Sequence, residues 1–188
     1  MATLHEIGLK YNTDKASPHN FCNEYEILLK DMDISYIVEV GILNGASLRM
    51  WAEFYPSAKI IGIDIDRKTL INVDNIFSYL GDQANPLGTI LPHVMETNCD
   101  LFIDDGSHQW SHQINTFNNI FPFMKVGSVY ILEDLHTSLW TDRGYNDCKI
   151  NPLEYIKNFV ETNTKVSYKF IDNNDHQSLS MIIKKLSF

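Results

Sequence analysis

The chain is poor in cysteine, and what it has is scattered. Cys22, Cys99 and Cys148 are far apart and form no CxxC pair. That excludes a disulfide framework and a zinc knuckle, and it suits a reducing compartment. Long apolar runs are missing too. No stretch approaches the ~20 apolar residues of a membrane span. Met1 to Lys10 has neither the basic region nor the apolar core of a signal peptide. The expectation is a cytoplasmic protein with no membrane partner. Positive charge is the third scarcity: 15 Lys and Arg stand against 24 Asp and Glu, a net charge of -9. Such a surface repels nucleic acid and anionic lipid. There is no internal repeat, low-complexity tract or Pro/Gly linker, so the 188 residues read as one domain.

What is present is alternation. Ile34 to Val40, Lys59 to Ile63, Ile76 to Leu80, Leu101 to Ile103 and Val126–Gly127 to Leu132 read as buried strands. Between or after them, Asn44 to Phe54, Pro86 to Val94, Trp110 to Phe121 and Pro152 to Glu161 read as helices, the last opened by Asn151. Strands alternating with helices imply a parallel sheet covered on both faces. Val166 to Ile171 and Leu179 to Ile183 are joined only by the turn-rich Asp172 to Asp175. So short a link makes them an antiparallel hairpin. The predicted fold class is α/β: a doubly wound, mostly parallel seven-stranded, Rossmann-like sheet ending in an antiparallel hairpin. Residues 1–30 form a helical N-terminal cover and residues 31–188 the core. Trp51 and Trp110 read as core, and Lys184–Lys185 as a solvated charge pair.

The strand ends carry the chemistry. Glu39-Val40-Gly41-Ile42-Leu43-Asn44-Gly45 follows the first strand, where Gly41 and Gly45 allow a tight turn and close approach of a ligand. Asp64 ends the second strand, about 20 residues on, placed to accept both hydroxyls of a ribose. Gly81-Asp82-Gln83 follows the third and is placed to read an adenine edge. An adenosine half of this kind serves NAD and S-adenosylmethionine alike.

Two acidic runs lie about 30 residues apart: Asp104-Asp105-Gly106-Ser107-His108 and Glu133-Asp134-Leu135-His136. Carboxylates cost too much to bury unpaired, but just past strand ends they converge where open α/β sheets hold ligands. Asp105, Glu133 and Asp134 are hard oxygen ligands suited to Mg2+. His108, at an expected helix start, is placed to take a proton near neutral pH. It shares a helix face with His112 at i, i+4. His136 and Trp140 line the pocket or pack.

With these residues in view, the chain resembles a known family. The run from Asp104 to His108, Thr116–Phe117, Phe121–Pro122, and the stretch from Gly127 through Glu133–Asp134 to Thr137, Ser138 and Trp140 are similar to the metal-dependent, mycinamicin-type macrolide sugar O-methyltransferases. Related cephalosporin-cluster methyltransferase-like proteins share the pattern. So do the opening segment Gly8-x-Lys10-Tyr11-x-Thr13-Asp14-Lys15 with His19 and Tyr25, and Ala46 to Trp51. Leu43 departs from that family's Gly-rich loop, and the large N-terminal region of the macrolide enzymes has no counterpart here.

The resemblance implies a class I fold, S-adenosylmethionine and Mg2+ as cofactors, and a sugar or sugar-containing metabolite or polysaccharide as acceptor. It implies cofactor contacts from Thr13, Lys15, Glu39, Gly41, Gly45, Ser47, Asp64, Asp82, Gln83 and Asp104, a metal on Asp105, Glu133 and Asp134, and His108 as base. Acceptor contacts are expected from His19, His136 and Trp140, with Thr13, Lys15 and His19 folded over the ligands from a segment that has little core to build. A homo-oligomer is left open. The competing reading is a non-catalytic S-adenosylmethionine- or nucleotide-binding protein that acts through a partner.

Overall fold

The computed structural model describes residues 2–173 and 176–187. Seven strands form one sheet in the order β3-β2-β1-β4-β5-β7-β6: β1 Tyr36–Val40, β2 Lys59–Asp64, β3 Ile76–Leu80, β4 Leu101–Asp104, β5 Val129–Leu132, β6 Val166–Asn173 and β7 Ser178–Lys185. The first five are mutually parallel; β7 pairs antiparallel with both β5 and β6. The hairpin is longer than its apolar runs because Asp172 and Asn173 continue the ladder, opposite Leu179 and Ser178. Asn174 and Asp175 of the expected turn lie outside the described residues.

One face of the sheet is covered by α1 (Leu4–Tyr11), α2 (Cys22–Leu29) and α3 (Ala46–Phe54), the other by α5 (Leu91–Thr97), α6 (Trp110–Ile120) and α7 (Pro152–Thr162). The cover is therefore core-building, contrary to expectation. Leu4, Ile7, Phe21, Tyr25 and Leu29 pack with Leu48, Met50 and Trp51 of α3 against the sheet. Its polar residues are the exceptions along a helical apolar stripe. Thr3 starts α1 with a reciprocal capping box to Glu6, and Asn151 caps α7, with Pro152 in its first turn.

Three local readings are corrected. The helix expected over Pro86 to Val94 is two, α4 (Pro86–Thr89) and α5, broken at Ile90; Pro92 has no amide to continue the ladder. Helix α6 begins at Trp110, and His108 precedes it with φ +56°, so His108 and His112 do not share a helix face. Lys185 is buried, its ammonium donating to the carbonyls of Phe121, Pro122 and Met124, which the turn after α6 leaves without helical partners. Trp51 and Trp110 are core, as expected. Among the described residues, no helix is long and apolar enough to cross a membrane.

Candidate active site at the carboxyl edge of the sheet

The parallel strands end together, and the residues just beyond them face one cleft. A cavity of about 450 Å³ is lined by Thr13, Asp14, Gly41, Leu43, Ser47, Asp64, Asp105, His108 and Asp134. A smaller one of about 190 Å³ shares Gly41, Asp64 and Gly106 with it and adds Gly81, Asp82, Gln83, Ser107 and His112.

The turn after β1 is built for close approach. Gly41, Leu43 and Gly45 all have positive φ. Leu43 thus pays for a left-handed conformation that glycine adopts freely, at the position where its departure from the Gly-rich pattern stood out. Its side chain is 76% exposed. Asp64 holds this turn: Oδ2 accepts from the Ile42 amide at 2.8 Å and the Leu43 amide at 3.4 Å, and Oδ1 from the Asp66 amide at 2.8 Å. With two donors on Oδ2 and one on Oδ1, the remaining acceptor capacity lies on Oδ1, and Asp64 lines both cavities. Asp82 sits at the smaller cavity and accepts from the Ala84 amide.

Gln83 and Asp104 belong to a buried relay. Gln83 Nε2 donates to Asp104 Oδ1 at 2.5 Å, and Gln83 Oε1 accepts from the Ser107 amide and hydroxyl. Tyr130 donates its hydroxyl to Asp104 Oδ2 at 2.7 Å. Burial pushes the Asp104 carboxyl up to about 7, against the lowering pull of the Tyr130 and Gln83 bonds. Both ends of the Gln83 amide are thereby occupied within the protein. The other polar side chains that line the smaller cavity are Asp64, Asp82, Ser107 and His112, and the last two meet at 2.7 Å through Ser107 Oγ and His112 Nδ1. No motif distinguished Ser107 or His112 as cavity residues.

The acidic cluster lies deeper. Glu39 and Glu133 are buried. Trp51 Nε1 donates to Glu39 Oε2 at 2.9 Å. The Lys15 ammonium meets Asp105, Glu133 (3.0 Å) and Glu39 (3.3 Å). Burial raises the carboxyls of Glu39, Asp105 and Glu133 in spite of that ammonium; Asp105 also raises Glu133, and Asp134 raises both. Lys15 is itself held charged by its three acidic neighbours, which outweigh the cost of burial. Lys15, expected at the cofactor, instead reaches past the cavities into the carboxylates.

Asp134, at φ +55°, is the hub of the far side. Three imidazoles approach it without closing a hydrogen bond: His108 Nε2 at 3.5 Å from Oδ2, and His136 Nδ1 at 3.7 Å and His19 Nε2 at 3.8 Å from Oδ1. Asp134 Oδ1, His136 Nδ1 and Glu133 Oε1 are buried and unpartnered. One donor atom each of Asp105, His108 and Asp134 lies within 4.8 Å of the others. Oxygen-dominated donors with unsatisfied buried carboxylate oxygens fit a hard divalent cation. His19 is fixed by stacking on Phe21 at 5.3 Å and by Ser178 Oγ at 2.7 Å. His136 meets the edge of Trp140, over which Arg143 lies at 4.0 Å. His19, His136 and Trp140 thus form a separate aromatic wall beyond Asp134.

No protein-family profile matches the chain. Among characterised proteins it is 30% identical over 175 residues to demethylmacrocin O-methyltransferase of Streptomyces fradiae, covering 85% of this chain and 44% of that one. It is 28% identical over 167 residues to 8-demethyl-8-alpha-L-rhamnosyl tetracenomycin-C 2'-O-methyltransferase of Streptomyces olivaceus, covering 82% and 44%. The chain thus spans less than half the length of these relatives. Among solved structures, the MycE methyltransferase of the mycinamycin pathway, in complex with Mg, SAH and mycinamycin VI, superposes with a TM-score of 0.79 at 25% identity, over 98% of this chain and 55% of that one.

Proposed function

We propose that this chain, a relative of the macrolide and sugar O-methyltransferases with their class I methyltransferase fold, is an S-adenosylmethionine- and Mg2+-dependent O-methyltransferase. Its acceptor is a hydroxyl of a sugar or sugar-containing metabolite or polysaccharide. The observation that carries the reading is the meeting of Asp105, His108 and Asp134 at the cavity that Asp64 and Gly41 also line.

Asp64 receives a ribose hydroxyl on Oδ1, where its backbone bonds leave acceptor capacity, while the smaller cavity takes the base beside Asp82, Ser107 and His112. Asp105, Glu133 and Asp134 would hold the ion, through oxygens that include the unpartnered Oε1 of Glu133 and Oδ1 of Asp134. When bound, S-adenosylmethionine supplies an electrophilic methyl group and Mg2+ acidifies and orients a hydroxyl. His108 accepts the hydroxyl proton at Nε2, the nitrogen that faces Asp134. His19, His136 and Trp140 orient the sugar from the opposite wall. Holding oxygen and methyl carbon in line on one sheet edge contributes to the rate by replacing a chance encounter with a fixed one.

The test separates the roles. Calorimetry with S-adenosylhomocysteine, with and without Mg2+, should give binding of both. In an assay of methyl transfer to a sugar acceptor, His108→Ala should leave both affinities intact while turnover falls about 10²–10⁴-fold. Asp134→Ala should weaken Mg2+ binding itself. Near-normal turnover in His108→Ala with the ion still bound would remove His108 as the base. Failure of the wild-type protein to bind S-adenosylhomocysteine would remove the methyltransferase reading.

A further inference from the structure

Lys15 is 0% exposed. An ammonium has three N–H donors and no acceptor, and here three carboxylates from three adjacent strand ends surround it. Asp105 Oδ2 and Glu133 Oε2 accept its hydrogen bonds, and Glu39 Oε1 lies 3.3 Å away. The lysine comes from the N-terminal cover, the acids from the ends of β1, β4 and β5. Its own carbonyl accepts from the amides of Phe21 and Cys22, so the residue that enters the acidic cluster also fixes the start of α2.

Glu39 is engaged on its other oxygen by Trp51 Nε1, but Glu133 is not. Lys15 takes one oxygen of Asp105 and one of Glu133, and Glu133 Oε1 remains buried without a donor. With the ammonium on one oxygen, the second oxygen of the same carboxylate is left for a cation. A buried ion pair is a poor device for stability alone, since desolvation offsets much of its attraction and apolar residues in place of the whole cluster would hold the cover as well, whereas removing Lys15 alone leaves buried acids uncompensated. Its use here is directional: it aims two carboxylates.

We propose that Lys15 is a positioning residue, a tethered counter-ion that latches the N-terminal cover onto the strand ends and orients Asp105 and Glu133 toward a divalent ion. The orienting half rests on the metal-dependent reading above; the latch does not.

The test is hydrogen exchange on the full chain without metal, followed by Mg2+ calorimetry. In Lys15→Met the amides of α1 and α2 should exchange at least tenfold faster while β1 and β4 keep their protection. Asp105→Asn, which keeps shape and weakens the pairing, should move the cover the same way by less. Mg2+ affinity of Lys15→Met should fall about 10–100-fold, the usual cost of losing a partner of a metal ligand. Cover exchange equal to wild type overturns the latch, and so does acceleration of cover and strands alike. Mg2+ bound as tightly or more tightly in Lys15→Met overturns the orienting role, because Lys15 would then be a competitor. If Lys15→Met does not fold, Asp105→Asn and Glu133→Gln decide the latch by the same exchange criterion. A wild-type protein that binds no Mg2+ removes the metal reading and the orienting half, while the exchange result still decides the latch.

Discussion

Gly41 and Gly127 have nearly the same backbone, φ +93° and +88°, and very different surroundings. A Cβ at Gly41 would stand 1.9 Å from the carbonyl oxygen of Asp105 and 2.7 Å from its carbonyl carbon; a Cβ at Gly127 would meet nothing within 4 Å. Alanine at either position pays the left-handed penalty, roughly 1–2 kcal/mol. At Gly41 it also collides with backbone, which has no rotamer to escape into, adding the roughly 1–3 kcal/mol of overpacking. Gly41→Ala should therefore lose roughly 2–5 kcal/mol and Gly127→Ala roughly 1–2. For a chain of this size each kcal/mol lowers Tm by about 2–4 °C. Thermal melts followed by circular dichroism should place Gly41→Ala well below Gly127→Ala. Because the clash pushes on Asp105 itself, Gly41→Ala protein kept folded at low temperature should also bind Mg2+ more weakly, and Gly127→Ala should not. Equal melting temperatures would refute the claim that the turn after β1 is packed against the strand end that carries Asp105.

Asp64→Ala removes the acceptor that holds the Ile42 and Leu43 amides; with charge-assisted bonds worth about 1.5–3 kcal/mol each, the Kd for S-adenosylhomocysteine should rise roughly tenfold or more, and an unchanged Kd in folded protein sinks the ribose assignment. Burial pushes the thiols of Cys22 and Cys99 up to about 12, while Cys148 is partly exposed. Ellman's reagent should thus titrate one thiol rapidly in the native protein and three in denaturant, and fast native reaction of two or three would contradict the packing. Burial holds His93 below its ordinary value where it stacks on Tyr79. The unfolded chain takes up the proton at about pH 6.5 and the folded chain resists it, so the stability this ring contributes is whole above that pH and is lost as pH falls below it. His93→Gln should flatten the acid-side decline in denaturant-measured stability, and parallel curves for the two proteins would contradict this.

Much of this was legible before any coordinates. Runs such as Ile60-Ile61 and Leu101-Phe102-Ile103 are too apolar for anything but doubly covered strands, and the chemistry followed from which polar residues come next. Periodicity does not register what one residue does to a ladder, so neither the split near Pro92 nor the exit of His108 from α6 is visible in it. Tertiary partners were beyond reach in a different way. Lys15 lies far in sequence from Asp105 and Glu133, and nothing local distinguishes a lysine that will be drawn into a carboxylate cluster from one that will bind a ligand. Lys185 shows the same limit at the other end of the chain. Gln83 stands out in the sequence by its place after β3; that its amide bonds Asp104 and Ser107 is a fact of packing, invisible until β2 and β1 are placed between β3 and β4.

The site's rigidity follows from its backbone. Val40 and Asp104 are paired in register, as are Asp104 and Leu132, so the turns that follow β1, β4 and β5 start level. The Asp105 amide donates to the Val40 carbonyl, and the Glu133 amide to the Asp104 carbonyl. Gly41 then lets the first turn lie directly on the Asp105 carbonyl, a contact any side chain would forbid. The turn after β1, which lines both cavities, and the strand ends that gather carboxylates are therefore joined by hydrogen bonds and backbone contact. A methyl donor held by the first and a hydroxyl held by the second would meet at a separation set by the sheet, which is the condition in-line transfer requires. The same coupling explains why substitutions at Gly41, a residue with no functional group, are expected to disturb the proposed metal site at Asp105 as well as the proposed cofactor cavity.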